Sequence, residues 1–256
     1  MPAICFDAVV LDQFRLTGDI RLLTVLWPDD AHAPHAGQFF TLRAWADDQP
    51  PFLSRPISVH KWDPAAHEVQ FLYQIKGAGT QQLSALRTGD RVQTTGPMGN
   101  GFDAAALAAQ YKRILVVGGG IGTAPLYQLT RELCAAGNRP DVCFGFTDMP
   151  YGTEKYRNIA RTLRVATDSG KAGVHGLVTA LYRPQDYDLI LVCGPTPMMK
   201  SVAAGAAAAG VPCLCSLEAK MACGIGACLG CTCHTTKGEA ARVCKDGPVF
   251  DAREVF

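Results

Sequence analysis

Four cysteines near the end of this 256-residue chain limit what it can become more than any other feature. Cys223, Cys228, Cys231 and Cys244 follow the spacing Cys-x4-Cys-x2-Cys-x12-Cys, three in one short stretch and the fourth apart. That is the ligand spacing of a plant-type [2Fe–2S] centre. Each tetrahedral iron in such a centre shares two bridging sulfides and takes two thiolates from the protein, so four cysteines are required. A loop that supplies three of them must curl tightly. Gly224, Gly226 and Gly230 permit the curl and let backbone N–H groups point at the sulfurs. The competing reading is a structural zinc site. Zinc usually draws on paired Cys-x2-Cys knuckles, and only Cys228 and Cys231 form one here.

The other cysteines fit neither a disulfide framework nor a second centre. The chain holds 11 cysteines, an odd number, and its start, MPAICFDAVVLDQFR, lacks the basic region and long apolar core of a secretion signal. Cys233 would share the Cys231 side of an extended chain and could compete as a ligand; it reads as a core thiol or one beside the cluster. Cys213 and Cys215 read as strand residues facing a core. The Ala-rich run between Lys200 and Glu218 is broken by Gly205, Gly210 and Pro212. It falls short of the roughly 20 apolar residues of a membrane span. With 24 Lys+Arg against 23 Asp+Glu, the balance shows no nucleic-acid footprint and no polybasic membrane patch. A cytoplasmic protein with neither nucleic-acid nor membrane partners is expected.

The organisation changes along the chain. Up to about residue 100, β-branched and apolar runs recur at ICFDAVVLDQFRL, DIRLLTVLW, QFFTLRAW, FLSRPISVH, EVQFLYQI and DRVQTTG, separated by turn formers. One short helix is predicted over 80–86. Strands at roughly 8–12-residue spacing predict an antiparallel barrel or sandwich. From Tyr111 strands alternate with helical patterns: KRILVVGGG, APLYQLTRELCAAG, DVCFGFTD, TLRVATDSG, YDLILVCGP and MMKSVAAGAAAAG. That rhythm predicts a parallel sheet with helices on both faces. The expected division is a β unit over 1–100, an α/β unit over 101–210 and a cluster segment over 211–256, with VPCLCSLEA as one more strand.

Two further groups of residues suggest ligand chemistry. Arg55, Pro56, Ile57 and Ser58 place a guanidinium and a hydroxyl within one strand, able to pair with a diphosphate and a ring nitrogen. The turn Gly77-Ala78-Gly79-Thr80 feeds the short helix. In the α/β half, Gly118-Gly119-Gly120-Ile121-Gly122-Thr123 follows a strand and opens a helix, although Pro125 departs from the usual dinucleotide fingerprint. Cys193-Gly194-Pro195 ends another strand and should converge on the same crevice. Asp148 follows the second strand of that half as a possible ribose acceptor, which favours NAD over NADP, with Lys155 and Arg157 close behind. The histidines, His32, His35, His60, His67, His175 and His234, show no ligand spacing and are expected mostly in solvent.

In their order, RPIS, GAGT, GPMGNGF, GGGIGTAPL, CGPTPMM and EAKMACGIGACLGC…RVCKDGPVF, these motifs resemble the electron transfer subunits of type B dihydroorotate dehydrogenases. More broadly they resemble the ferredoxin reductase superfamily. The resemblance implies an N-terminal antiparallel FAD-binding β-barrel, a central NAD-binding parallel-sheet domain and a C-terminal [2Fe–2S] segment. It places FAD on Arg55, Pro56, Ile57, Ser58, Leu72, Tyr73, Gln74, Gly79 and Thr80, with Gln74 departing from the basic residue often found there. The nicotinamide co-substrate falls to Gly119, Gly120, Gly122, Thr123, Cys193, Gly194 and Pro195, and the cluster to Cys223, Cys228, Cys231 and Cys244. The implied activity passes electrons from an FMN-containing catalytic subunit, in a heterotetramer of two plus two, through cluster and FAD to NAD+ for pyrimidine biosynthesis. A related reductase subunit serving an oxygenase, hydrogenase or ferredoxin is the nearest alternative. A zinc-stabilised binding module without redox chemistry is the alternative of another class.

Overall fold

The computed structural model describes residues 3–27 and 33–256. Its first unit holds strands β1 (Ile4–Thr17), β2 (Ile20–Leu26), β3 (Phe39–Arg43), β4 (Arg55–Ser58), β5 (Lys61–Asp63), β6 (Glu68–Gln74) and β7 (Arg91–Met98). They form one antiparallel sheet in the order β4-β3-β7-β1-β2-β6-β5. Strand β7 shows the cause: Val92, Thr94, Gly96 and Met98 are buried, whereas Arg91 and Gln93 face water. This is the period-two pattern of a strand with one wet face. The sheet curls around Trp27, Phe40, Leu42 and Phe71. The Phe40 ring meets those of Trp27 and Phe71 edge-on, with centroids 5.1 and 5.4 Å apart, an arrangement aromatic quadrupoles favour. Strands β4 and β6 approach each other without joining, which leaves a seam.

Each predicted β run holds one strand, and β5 is an unforeseen three-residue addition at the edge of β6. The short helix α1 spans Ala78–Leu83 rather than 80–86. The Thr80 hydroxyl accepts from the N–H groups of Lys76 and Gly77 at 2.9 and 3.1 Å. Partnering the donors ahead of it lets the helix start before Thr80.

The second unit contains α2 (Ala104–Gln110), β8 (Ile114–Gly119), α3 (Leu126–Ala135), β9 (Asp141–Phe146), β10 (Thr162–Thr167), β11 (Val174–His175), β12 (Leu189–Cys193) and α4 (Thr196–Ala208). Every residue of β8 and β12 is buried, as expected of parallel strands covered on both faces. Helix α3 sets Leu126, Leu129 and Leu133 against Val116 and Phe144 on one face. On the other face, α4 sets Met199, Val202, Ala203 and Ala206 against Val117 and Ile190, the i, i+3, i+4, i+7 rhythm of a one-sided helix.

The chain after Gly210 joins this sheet. Strand β13 (Cys213–Ser216) lies parallel to β12, and after the hairpin β14 (Thr232–His234) and β15 (Ala240–Arg242), β16 (Val249–Asp251) pairs antiparallel to β13. The sheet order is therefore β11-β10-β9-β8-β12-β13-β16, and helix α5 (Ala252–Val255) follows it. No helix among the described residues is long and apolar enough to cross a membrane.

Polar contacts lock the two units together. The Gln128 side-chain oxygen accepts from the Trp62 N–H at 2.9 Å, and Arg131 donates to the Trp62 carbonyl at 2.6 Å. His60 corrects the expectation of solvated histidines: it is 1% exposed. Its Nδ1 lies 2.6 Å from the Ala124 carbonyl and must donate, so Nε2 accepts from the Lys155 ammonium. Burial, reinforced by the Lys155 charge, lowers the His60 pKa to about 3. His32 lies outside the described residues.

Candidate functional site

The seam of the barrel is where the first group of predicted residues meets. Arg55, Pro56, Ile57 and Ser58 come from β4, Leu72, Tyr73 and Gln74 from the end of β6, and Thr80 from α1. All line one cleft enclosing about 910 Å³ of open space. Gly79 lies beneath the Arg55 side chain, where a Cβ would overlap the Arg55 Nε and come within 2.9 Å of Trp45. The Arg55 guanidinium sits 5.7 Å from the centre of the Trp45 ring. Among the described residues it has no carboxylate partner. A stacked, unpaired guanidinium at a cleft mouth suits a diphosphate. Gln74, at the position without a basic residue, donates to Asp19 at 2.7 Å. Tyr73 is buried, which pushes its phenol to about 12, and its hydroxyl accepts from Gln13 at 2.8 Å.

Sequence reasoning missed the far wall of this cleft. Ala124, Glu218, Met221 and Pro248 line it, as does Lys76 on the barrel side. A lysine two residues beyond Gln74 was a visible signal; the others come from distant segments.

The glycine turn of the α/β unit serves two clefts. Gly119 and Gly120 line a second cleft with Thr147, Asp168, Pro195 and Met198, at the carboxyl ends of the parallel strands. Ile121 and Ala124 of the same turn face the first cleft, so the two cavities share a wall. Pro125 does not break the motif: residues 120–123 form a 3-10 turn, and Pro125 caps α3. A Cβ on Gly122 would lie 2.5 Å from the Gly194 Cα, so no larger residue fits between the turn and the end of β12. Gly122, Thr123, Cys193 and Gly194 thus build the turn rather than face the open cleft. Thr123 Oγ1 donates to the Gly120 carbonyl at 2.9 Å, and Cys193 is 1% exposed with its thiol pKa raised by burial. Asp148 is engaged by Lys171 at 2.9 Å in an exposed ion pair.

The cysteine loop curls as its glycines predicted. Gly224 and Gly226 adopt φ of 70° and 80°, a region other residues rarely enter. Backbone N–H groups point at sulfur: Gly226 to Cys244 at 3.1 Å, and Cys228 to Cys223, Gly230 to Cys228 and Cys244 to Cys231 at 3.4 Å each. The cysteines come as two pairs, Cys223 with Cys228 and Cys231 with Cys244, each joined by the backbone N–H of the second to the sulfur of the first. Two pairs of thiols are what two bridged irons require. Burial acts to raise the Cys223 pKa, but the N–H groups of Cys228, Ile225 and Ala227 outweigh it and bring the thiol to about 6. Arg242 grips Asp246 through two bonds of 2.9 Å and so closes the turn that carries Cys244. Asn100 ties this turn to the barrel by donating to the Lys245 carbonyl at 3.0 Å. Cys233 is half-buried beside the group formed by Met98, Cys231 and Cys244.

Comparison with known proteins agrees with this geometry. Residues 218–256 match the family model for the iron-sulfur cluster binding domain of dihydroorotate dehydrogenase B. The chain is 42% identical over 220 residues to the dihydroorotate dehydrogenase B (NAD(+)) electron transfer subunit of Clostridium acetobutylicum, covering 86% of this chain and 85% of that protein. The subunit of the same name from Caldanaerobacter subterraneus subsp. tengcongensis is 38% identical, with 97% of each chain covered. Among solved structures, a chain of the NADH-dependent reduced ferredoxin-NADP oxidoreductase superposes with a TM-score of 0.84 at 28% identity, over 97% of this chain and 89% of that one. The ferredoxin reductase of carbazole 1,9a-dioxygenase shares the fold, with a TM-score of 0.66 at 19% identity over 83% of this chain and 68% of that one.

Proposed function

This chain belongs to the family of dihydroorotate dehydrogenase B electron transfer subunits, and from that premise we propose how its residues divide the work. Its function is to carry electrons from the dehydrogenase through a [2Fe–2S] cluster and FAD to NAD+, in pyrimidine biosynthesis. The flavin supplies the conversion of single electrons into a two-electron hydride. The protein supplies position and surroundings.

In this reading Arg55 engages the flavin diphosphate while Ser58, Leu72, Tyr73 and Thr80 seat the ring system. The glycine turn and Pro195 hold the nicotinamide nucleotide. Cys223, Cys228, Cys231 and Cys244 hold the cluster. The observation that carries the proposal is the shared wall: one turn, residues 119–124, faces both clefts, and the cluster-bearing segment supplies Glu218 and Met221 to the first. Three redox groups would then meet within one junction. The catalytic partner is taken to carry FMN, in a complex of two copies of each chain in the cytoplasm; the relatives' names, as electron transfer subunits of a dehydrogenase, support the existence of that partner.

An anaerobic absorption spectrum with iron, sulfide and flavin assays tests the ligand assignments. Flavin bands with two irons and two sulfides per chain are expected, and a colourless sample holding zinc would overturn them. Light scattering and flavin analysis of the purified complex test the partner. FMN in a two-plus-two assembly is expected, and a hydrogenase or ferredoxin partner would overturn it.

A further inference from the structure

A hydride passes only between atoms held in near contact, so the transfer depends on whatever fixes one cleft against the other. Here the clefts are built from different units, and the turn 119–124 that they share belongs to the α/β unit. Its last two carbonyls each accept from a side chain. The Tyr156 hydroxyl, from the same unit, donates to the Thr123 carbonyl at 3.0 Å. The Ala124 carbonyl meets His60 of the barrel, with Nδ1 at 2.6 Å. His60 lies just beyond β4, and its own N–H donates to the Gln70 carbonyl of β6 at 2.8 Å. One imidazole therefore joins the segment that carries Arg55 and Ser58 to the turn that faces the nucleotide cleft.

We propose that His60 is a positioning residue for hydride transfer: its bond to the Ala124 carbonyl sets the turn 119–124, and with it the spacing between the flavin and nicotinamide clefts. This role rests on the flavin and nucleotide assignments above. The surroundings leave the ring one orientation. It stacks on Tyr127 of α3, with centroids 5.1 Å apart and planes 25° from parallel. The Lys155 ammonium donates to Nε2 and lies 4.6 Å from the centre of the same Tyr127 ring. A carbonyl only accepts, so Nδ1 must carry the proton; an ammonium only donates, so Nε2 must be bare. Burial, and then the charges of Lys155, Lys61 and Arg131, outweigh the Ala124 bond and hold the ring neutral. Neither role therefore reverses near neutral pH. A histidine that merely filled space would need neither partner.

Replacements that keep one bond and lose the other separate this role from simple support. An asparagine amide nitrogen takes the place of Nδ1 and still donates to Ala124. A glutamine amide reaches the place of Nε2 and leaves the Ala124 carbonyl bare. In the cofactor-loaded chain at saturating NADH, stopped-flow reduction of the flavin should slow on the order of 10²-fold in His60→Gln. His60→Asn should recover most of that loss. Reduction by dithionite, which needs no nicotinamide geometry, should keep the wild-type rate in both variants. In the same loaded chains without NADH, amide exchange over residues 119–124 should quicken in His60→Gln and not in His60→Asn. Equal NADH rates in the two variants, or a dithionite rate that falls with the NADH rate, would overturn the proposal. If the glutamine variant fails to fold, nitrogen NMR of the wild-type imidazole decides: a protonated Nδ1 with a bare Nε2 upholds the role, and a proton on Nε2 alone rejects it. A wild-type chain that binds no flavin would instead reject the underlying assignments.

Discussion

Strand β12 and the cysteine loop are separated by one helix and one strand, yet their surroundings differ at nearly every residue. Leu191 and Val192 are 0% exposed between two helical layers, whereas Ile225 and Leu229 are 59% and 63% exposed. The strand is held by apolar burial and by backbone ladders to β8 and β13. In the loop, N–H groups are spent on sulfur rather than on a backbone ladder, and its polar clasps are Arg242 with Asp246 and Asn100 with the Lys245 carbonyl. The contrast teaches that the sheet is a scaffold built on its own packing, while the loop is shaped for a group that it must bind.

The largest effect that could break this contrast is in the sheet. Leu191→Ala should cost about 2–5 kcal/mol, read as a lower denaturation midpoint, and should release flavin as well. A cost near zero would mean that the sheet is not the scaffold.

A second effect lies where the sheet meets the barrel. The folded His60 pKa of about 3 lies below its ordinary 6.5, so between these values the unfolded chain binds a proton that the folded chain refuses. Stability is therefore full above pH 6.5 and falls as acid is added towards pH 3, by an amount on the order of several kcal/mol. Denaturation midpoints of His60→Asn should depend less on pH across that window. Equal slopes in both proteins would remove His60 as the cause.

A smaller global effect should sharpen the contrast. Cys228→Ser should abolish the iron–sulfur absorption and open the loop to proteolysis, while the main unfolding transition moves by less than about 1 kcal/mol, as for an exposed substitution away from the core. A collapse of the whole molecule would show the loop to be part of the scaffold. The smallest concerns the nucleotide: NADH should be oxidised faster than NADPH, and Asp148→Ser should narrow the preference by about tenfold, ~1.4 kcal/mol. Its pairing with Lys171 makes this a sensitive test, because a freed lysine would welcome a 2′-phosphate.

What could be read in advance follows from the range of each signal. The six β runs, the alternating second half and the Cys223–Cys244 spacing are patterns written within short stretches. Helix α1 began earlier than expected because the Thr80 hydroxyl, not residue propensity, sets its start. His60 was misread because a lone histidine carries no mark of the carbonyl and ammonium that will enclose it. Lys76 escaped notice because it belongs to no motif, and Glu218 because its motif, EAKMACGIGACLGC, was read for its cysteines; both line the same cleft.

The sequence by itself determined the elements and the ligand chemistry: alternation makes strands, continuous apolar runs make buried ones, and four spaced thiols call for two irons. Tertiary structure decided which of them meet. It set β13 and β16 into the parallel sheet, brought β4 against β6 to open the seam, and turned residues 119–124 towards both clefts. Spacing along a chain encodes local geometry, whereas the meeting of distant segments depends on strand order and crossover, which only the packing of the cores selects.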